Sequence, residues 1–156
     1  MKLLVAAVGG PGRGPLAELI AEYEDRAARY FDLETVEVTP GGAGLSPEAR
    51  MEEEAAALLR RMPEELDLFA LTRKGKGLTS TGLARYLERT ATYGGAGAAF
   101  AIGGAHGLGP SLLGAADHRM SLSPMTLPHG LARLVLAEQL YRAGTILRGE
   151  PYHKGG

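Results

Sequence analysis

A chain of 156 residues with 45 % hydrophobic and 22 % charged residues is sized for one domain around a single core, and its composition is not that of a disordered chain. It has no cysteine, which excludes disulfide scaffolding and thiolate chemistry, and no apolar run reaches the roughly 20 residues of a membrane span. The formal net charge is −1, yet residues 1–70 hold 7 Lys+Arg against 14 Asp+Glu while residues 71–156 hold 10 against 4, so the second half, which also carries all four histidines, is the one suited to a polyanion.

The start MKLLVAAVGG turns to glycine and proline after too short an apolar run for a secretory signal, and a soluble cytoplasmic protein is expected. Lys2–Val8 predicts a strand buried on both faces, ended by GGPGRGP. Leu16, Leu19, Ile20, Tyr23, Ala27 and Tyr30 then recur at helical spacing and predict the first helix. Val36 and Val38 alternate with Thr35, Glu37 and Thr39 in a second strand. TPGGAGLSP follows as a loop, and Ser46-Pro47 starts a helix running to about Met62, with serine as cap and proline in the first turn. Residues 66–71 read as a third strand, RKGKGLTS as a basic loop, and residues 83–87 as the middle of a third helix. Residues 98–102 form a fourth strand, followed by GGAHGLGP and a short helix through Ala116. A short fifth strand at 119–122 precedes the last helix, from 131 to about 147. This alternation predicts an α/β fold: a mostly parallel sheet of five to six strands with helices on both faces, in a single domain.

Parallel α/β sheets bind ligands in the loops beyond the carboxyl ends of their strands. The first such loop places Gly10, Gly12 and Gly14 in the G-x-G-x-G that opens nucleotide-binding domains, and Glu37 stands where it could hold a ribose. Two prolines within residues 10–15 and the lack of a clean G-x-x-G approach to the helix favour a plain turn. Three later loops cluster instead: LTRKGKGLTS, IGGAHGLGP and LSPMTLPHG. Gly103, Gly104, Gly107 and Gly109 let a ligand press against backbone. Pro124 and Pro128 fix φ, and Leu122, Met125 and Leu127 supply an apolar wall. A slot with backbone donors and acceptors, and with no acidic cluster or paired cysteines, suits an adenine-bearing cofactor better than a metal.

FAIGGAHGLG, SLSPMTLPHGLARLVLAEQLYRA and the ending PYHK closely resemble the small SPOUT-class methyltransferases that methylate N3 of a pseudouridine in the helix 69 region of 23S ribosomal RNA, and the resemblance runs the full length of the chain. It implies a C-terminal trefoil knot, S-adenosylmethionine as cofactor with no metal, a homodimer packed through the knotted region, and an RNA substrate within the ribosome, with no DNA or membrane partner. By position it implies that Leu71, Gly104, Ser123, Pro124, Met125, Thr126, Leu127 and Pro128 line the cofactor site. The chain departs from the family pattern at Ala105 and His106, where relatives often have proline and an acid, and at Thr72, where an acid is common.

Methyl transfer of this kind needs alignment of the methyl group with the attacking nitrogen and removal of the N3 proton. His129 beside the slot and His153 in PYHK are the candidate proton acceptors; capping or packing is the alternative for His129, and a phosphate contact for His153. Tyr152, His153 and Lys154 are expected to close over cofactor and RNA, and Arg142 completes the catalytic candidates. Arg73, Lys74, Lys76, Arg133 and Lys154 are the expected RNA contacts. The last helix is more apolar than one core face requires, which points to a second subunit. Two rival readings stay open: a non-catalytic ribosome-binding dimer that keeps the fold, and an open-sheet methyltransferase using residues 10–14.

Overall fold

The structure, a computed structural model, describes residues 1–154. Five strands alternate with five helices: β1 (Lys2–Val8), α1 (Pro15–Ala27), β2 (Asp32–Val38), α2 (Pro47–Leu59), β3 (Asp67–Gly77), α3 (Ser80–Thr92), β4 (Gly97–Ile102), α4 (Pro110–Ala115), β5 (His118–Ser121) and α5 (His129–Leu147). A single 3-10 turn, Pro151–Lys154, follows. The strands form one sheet in the order β2-β1-β4-β3-β5, and every pairing is parallel. This is the expected α/β architecture, with five strands.

Side-chain alternation divides the core between the two faces of the sheet. Leu3, Val5 and Ala7 of β1 and Ala98, Phe100 and Ile102 of β4 face α1, α3 and α5, where Leu87, Leu136 and Leu140 are fully buried. Leu4, Ala6, Val8, Ala99 and Ala101 face the other way, onto Leu58 of α2 and Leu112 of α4. Because β1 and β4 are buried on both faces they read as unbroken apolar runs, at roughly 2 kcal/mol per fully buried large side chain. β2, at the sheet edge, is mostly exposed, with Leu33 packed on one face of the sheet and Val36 and Val38 on the other.

Local signals set the helix starts. Ser46 accepts a hydrogen bond from the Ala49 amide at 3.2 Å, and Thr79 accepts one from the Gly82 amide at 3.0 Å, each capping a helix whose first amides lack internal partners. The ends differ from expectation by a few residues: α1 stops at Ala27 and α2 at Leu59, each closing in a tighter last turn. The larger difference is at RKGKGLTS. It is not a free loop: β3 continues to Gly77, and both Leu71 and Lys76 pair with Met120 of β5, so residues 72–75 are pushed out of the ladder as a wide bulge.

Candidate functional site

A cleft of about 500 Å³ opens beyond the carboxyl ends of β3, β4 and β5, within the range of about 300–1,000 Å³ common for small-molecule sites. Its floor is apolar, from Leu71, Ile102, Leu108, Leu113, Leu122 and Leu127; its mouth carries Arg73, Lys74, His106 and His129. No Asp or Glu lines it among the described residues.

Each wall has a local cause. The β3 bulge lifts Thr72, Arg73 and Lys74 out of the sheet and over the cleft. After β4 the chain reverses in a turn closed by the Gly107 amide donating to the Gly104 carbonyl at 3.1 Å, with Gly107 at φ 86°, a conformation that side chains disfavour. Gly104 itself is packed so closely that a Cβ there would stand 3.0 Å from Val8 Cγ1 and 3.1 Å from Glu54 Oε2. Glu54 is buried beneath it and accepts the Gly41 amide at 3.0 Å. From the far side Glu52 holds the end of the turn, accepting both the amide and the hydroxyl of Ser111; these bonds keep its carboxyl below the usual range. In the third wall the Ser123 hydroxyl accepts the Met125 amide at 3.0 Å, and Pro128 caps α5 so that His129 is its first residue.

Six of the eight residues expected around a cofactor line this cleft: Leu71, Gly104, Ser123, Met125, Thr126 and Leu127. Pro124 and Pro128 do not; their rings are exposed, and they shape the backbone that carries the others. An apolar slot walled by a glycine turn lets the flat, apolar part of a small ligand lie against backbone. Sequence reasoning missed Glu52 and Glu54: both sit on an ordinary acidic helix face, and only tertiary packing brings them against the turn.

The remaining candidates separate. His129 stands at the cleft. Arg142, Tyr152 and His153 gather at the other end of α5, about 20 Å along the helix axis at 1.5 Å per residue. There Glu138 accepts from Arg142 Nε at 3.0 Å and from the Tyr152 hydroxyl at 3.1 Å, while the Arg142 guanidinium lies 4.8 Å from the Tyr152 ring centre. Burial, with the Tyr23 and Glu138 partners, pushes the Tyr152 phenol well above its usual range. His153 Nδ1 is buried and has no hydrogen-bond partner.

The cations also divide. Arg73 and Lys74 are exposed at the mouth, Lys76 is exposed but lies past the bulge in the β5 ladder, and Lys154 is exposed in the terminal turn. Arg133 is a correction: its side chain is only 7 % exposed and it bonds Glu24 of α1 through Nε and Glu37 of β2 through Nη1, both at 2.7 Å, so its charge is engaged inside the molecule rather than offered to RNA. The same bond engages Glu37 through Oε1, and residues 10–14 lie outside the cleft.

No helix among the described residues is long and apolar enough to cross a membrane. The family model described as "Predicted SPOUT methyltransferase" matches residues 1–153. Over 155 residues the chain is 45 % identical to a protein of Gemmatimonas aurantiaca named ribosomal RNA large subunit methyltransferase H, covering 99 % of this chain and all of that one. Proteins of the same name from Anaeromyxobacter sp. (strain Fw109-5) and Rubrobacter xylanophilus are 46 % and 48 % identical, covering 99 % and 90 % of this chain and 100 % and 91 % of theirs. The crystal structure of a "Probable Methyltransferase from Bordetella pertussis Tohama I" superposes with a TM-score of 0.58 at 16 % identity, covering 90 % of this chain and 95 % of that one, a likeness of fold alone. A five-stranded parallel sheet, a glycine-walled cleft beyond its strands and relatives matched end to end place this chain in the SPOUT methyltransferase family.

Proposed function

We propose that this chain methylates N3 of a pseudouridine in the helix 69 region of 23S ribosomal RNA, using S-adenosylmethionine, as a cytoplasmic homodimer acting on the assembled ribosome. The observation that carries the reading is the cleft itself: in a chain matched over its whole length by ribosomal RNA methyltransferases, residues 71, 104, 123 and 125–127 converge on one slot of suitable size. Family membership supports a trefoil knot formed by the segment from β4 to α5.

When bound, S-adenosylmethionine supplies an electrophilic methyl on its sulfonium. Leu71, Leu122 and Leu127 would hold the apolar part of the cofactor, and the closed floor of the cleft would keep water from the slot. His129, on the first turn of α5 at that mouth, takes the N3 proton through its imidazole as the nitrogen attacks. Arg73 and Lys74 hold RNA phosphates.

Arg142, Tyr152 and His153 stand too far along α5 to serve the cleft of their own subunit, and symmetry supplies a route. Leu131 and Val135, one turn apart on α5, are 43 % and 38 % exposed, and this stripe leads from the cleft toward Glu138 and Arg142. Two copies packed antiparallel along it would bring the Arg142–Tyr152–His153 end of one to the His129 end of the other, closing the tail over cofactor and RNA.

The test is methyl transfer from labelled S-adenosylmethionine to ribosomes lacking the modification, comparing free 23S RNA, 50S subunits and 70S particles, with the product nucleoside identified by mass spectrometry. Label on N3 of one pseudouridine, with 70S preferred, is the expected result. Equal methylation of naked RNA would overturn the ribosome requirement, and failure to bind S-adenosylmethionine at all would favour a non-catalytic ribosome-binding dimer. Mixed dimers of Gly104→Val and Arg142→Ala subunits should recover about one working site per dimer if the site is shared; two inactive homodimers with an inactive mixture would sink the shared site.

A further inference from the structure

The loop Gly-Pro-Gly-Arg-Gly-Pro, residues 10–15, is the glycine segment that the cleft leaves unused. Both of its ends are nonetheless fastened to the site. On one side Val8, the last residue of β1, is the neighbour a Cβ on Gly104 would meet at 3.0 Å; on the other, Leu16 of α1 lies 2.9 Å from where a Cβ on Gly130 would stand, in the first turn of α5. The loop therefore runs along the rim from the glycine turn after β4 to the helix start that carries His129.

Arg13 is exposed on this rim. Its neighbours Gly12 and Gly14 hold φ values of 70° and 110°, so the loop turns sharply on either side of it. Among the described residues Arg13 forms no ion pair. The carboxylate nearest the loop, Glu37 beneath Gly10, is bound by Arg133; Glu18, in the first turn of α1, is the exposed acid nearby. In the sheet β1 and β3 flank β4, so the loop that carries Arg13 leaves the sheet on one side of the glycine turn and Arg73 and Lys74 follow the strand on the other, the two strands lying two spacings or about 10 Å apart. A base drawn into the cleft between them would have its backbone approached by cations from both sides.

We infer that Arg13 is an RNA phosphate contact, gripping the substrate strand on the side of the target nucleotide opposite Arg73 and Lys74, and taking no part in cofactor binding. The inference rests on the RNA-methyltransferase reading and assigns the substrate face of the same site. It is tested by equilibrium binding of wild type, Arg13→Ala and Arg13→Lys to unmodified 70S ribosomes over a salt series, with S-adenosylmethionine affinity measured by calorimetry and steady-state methyl transfer alongside. Loss of one phosphate contact should weaken ribosome binding by Arg13→Ala about tenfold and reduce the slope of log affinity against log salt by about 0.7 to 1. Cofactor affinity and kcat should be unchanged, the loss should appear in KM, and Arg13→Lys, which keeps the charge, should recover most of the binding. An unchanged affinity and salt slope in Arg13→Ala would overturn the inference, and so would a loss of cofactor binding, which would return the loop to a nucleotide role. Absence of methyl transfer by the wild type would instead sink the functional reading, while the ribosome-binding arm would still decide the contact.

Discussion

Gly104 and Arg133 show how much a single position can carry. Gly104 has room for no side chain: a valine would meet Val8 on one side and the buried Glu54 carboxylate on the other. Gly104→Val should therefore displace the glycine turn and weaken S-adenosylmethionine at least tenfold in calorimetry, with circular dichroism near wild type; unchanged cofactor affinity would show that the turn is not a wall of the cofactor site. Gly12→Val, on the rim, should keep cofactor binding although its φ of 70° strains any side chain. Arg133 joins α5, α1 and β2 through two carboxylates. Arg133→Ala leaves Glu24, 14 % exposed, without its counter-charge and should destabilise the fold by about 3 kcal/mol in urea denaturation, as expected for removing one partner of a buried pair. A loss under about 1 kcal/mol would mean that both carboxylates find water when the guanidinium is removed. The composition at this position looked like a surface cation; the burial that decides its role comes from elements 96 and 109 residues away in sequence.

Between elements, one polar cluster joins α3 to the amino ends of β3 and β5. Tyr86 donates to Asp67 and lies 3.0 Å from His118 Nε2, while Phe69 stacks on His118 with ring centres 4.5 Å apart. Burial, and then the Asp67 bond, raise the Tyr86 phenol above its usual value near 10. The direction sets a pH window. Below pH 10 the phenol is protonated in both folded and unfolded chains and its contribution is complete; above pH 10 the unfolded chain releases the proton first, so stability falls until the native phenol also ionises. Urea midpoints should thus drop between pH 9 and pH 11, and drop less in Tyr86→Phe; equal slopes would remove Tyr86 from the account. Part of the slope should remain in the variant, because Tyr30 and Tyr152 are also shifted upward.

At the scale of the whole molecule, the exposed stripe on α5 is the surface proposed to meet a second copy. Leu131→Asp places a charge on that surface, at its cleft end. Sedimentation should show a dimer for the wild type and a monomer for the variant, with methyl transfer lost and S-adenosylmethionine still bound, since the cleft floor belongs to one subunit. A dimeric Leu131→Asp protein would place the interface elsewhere. The charge asymmetry between halves of the chain has a partial spatial counterpart: Arg73, Lys74, His106 and His129, all from the basic half, meet at the mouth of the cleft.

The amino-acid sequence by itself determined the element order and the parallel sheet, because unbroken apolar runs such as Lys2–Val8 and residues 98–102 tolerate only burial on both faces. It also marked the three loops that meet at the cleft, since glycine and proline act locally through φ. Four things were decided only by tertiary structure. The β3 bulge arises because Leu71 and Lys76 both pair with Met120, a register no local pattern encodes. Glu52 and Glu54 act on the glycine turn because α2 packs beside it. Arg133 is withdrawn from solvent by two distant carboxylates. Tyr152 meets Glu138 and Arg142 because the terminal 3-10 turn folds back onto α5. Periodicity and turn chemistry are local and can be read along the chain; charge pairing, register and distance between side chains depend on which elements come to lie side by side.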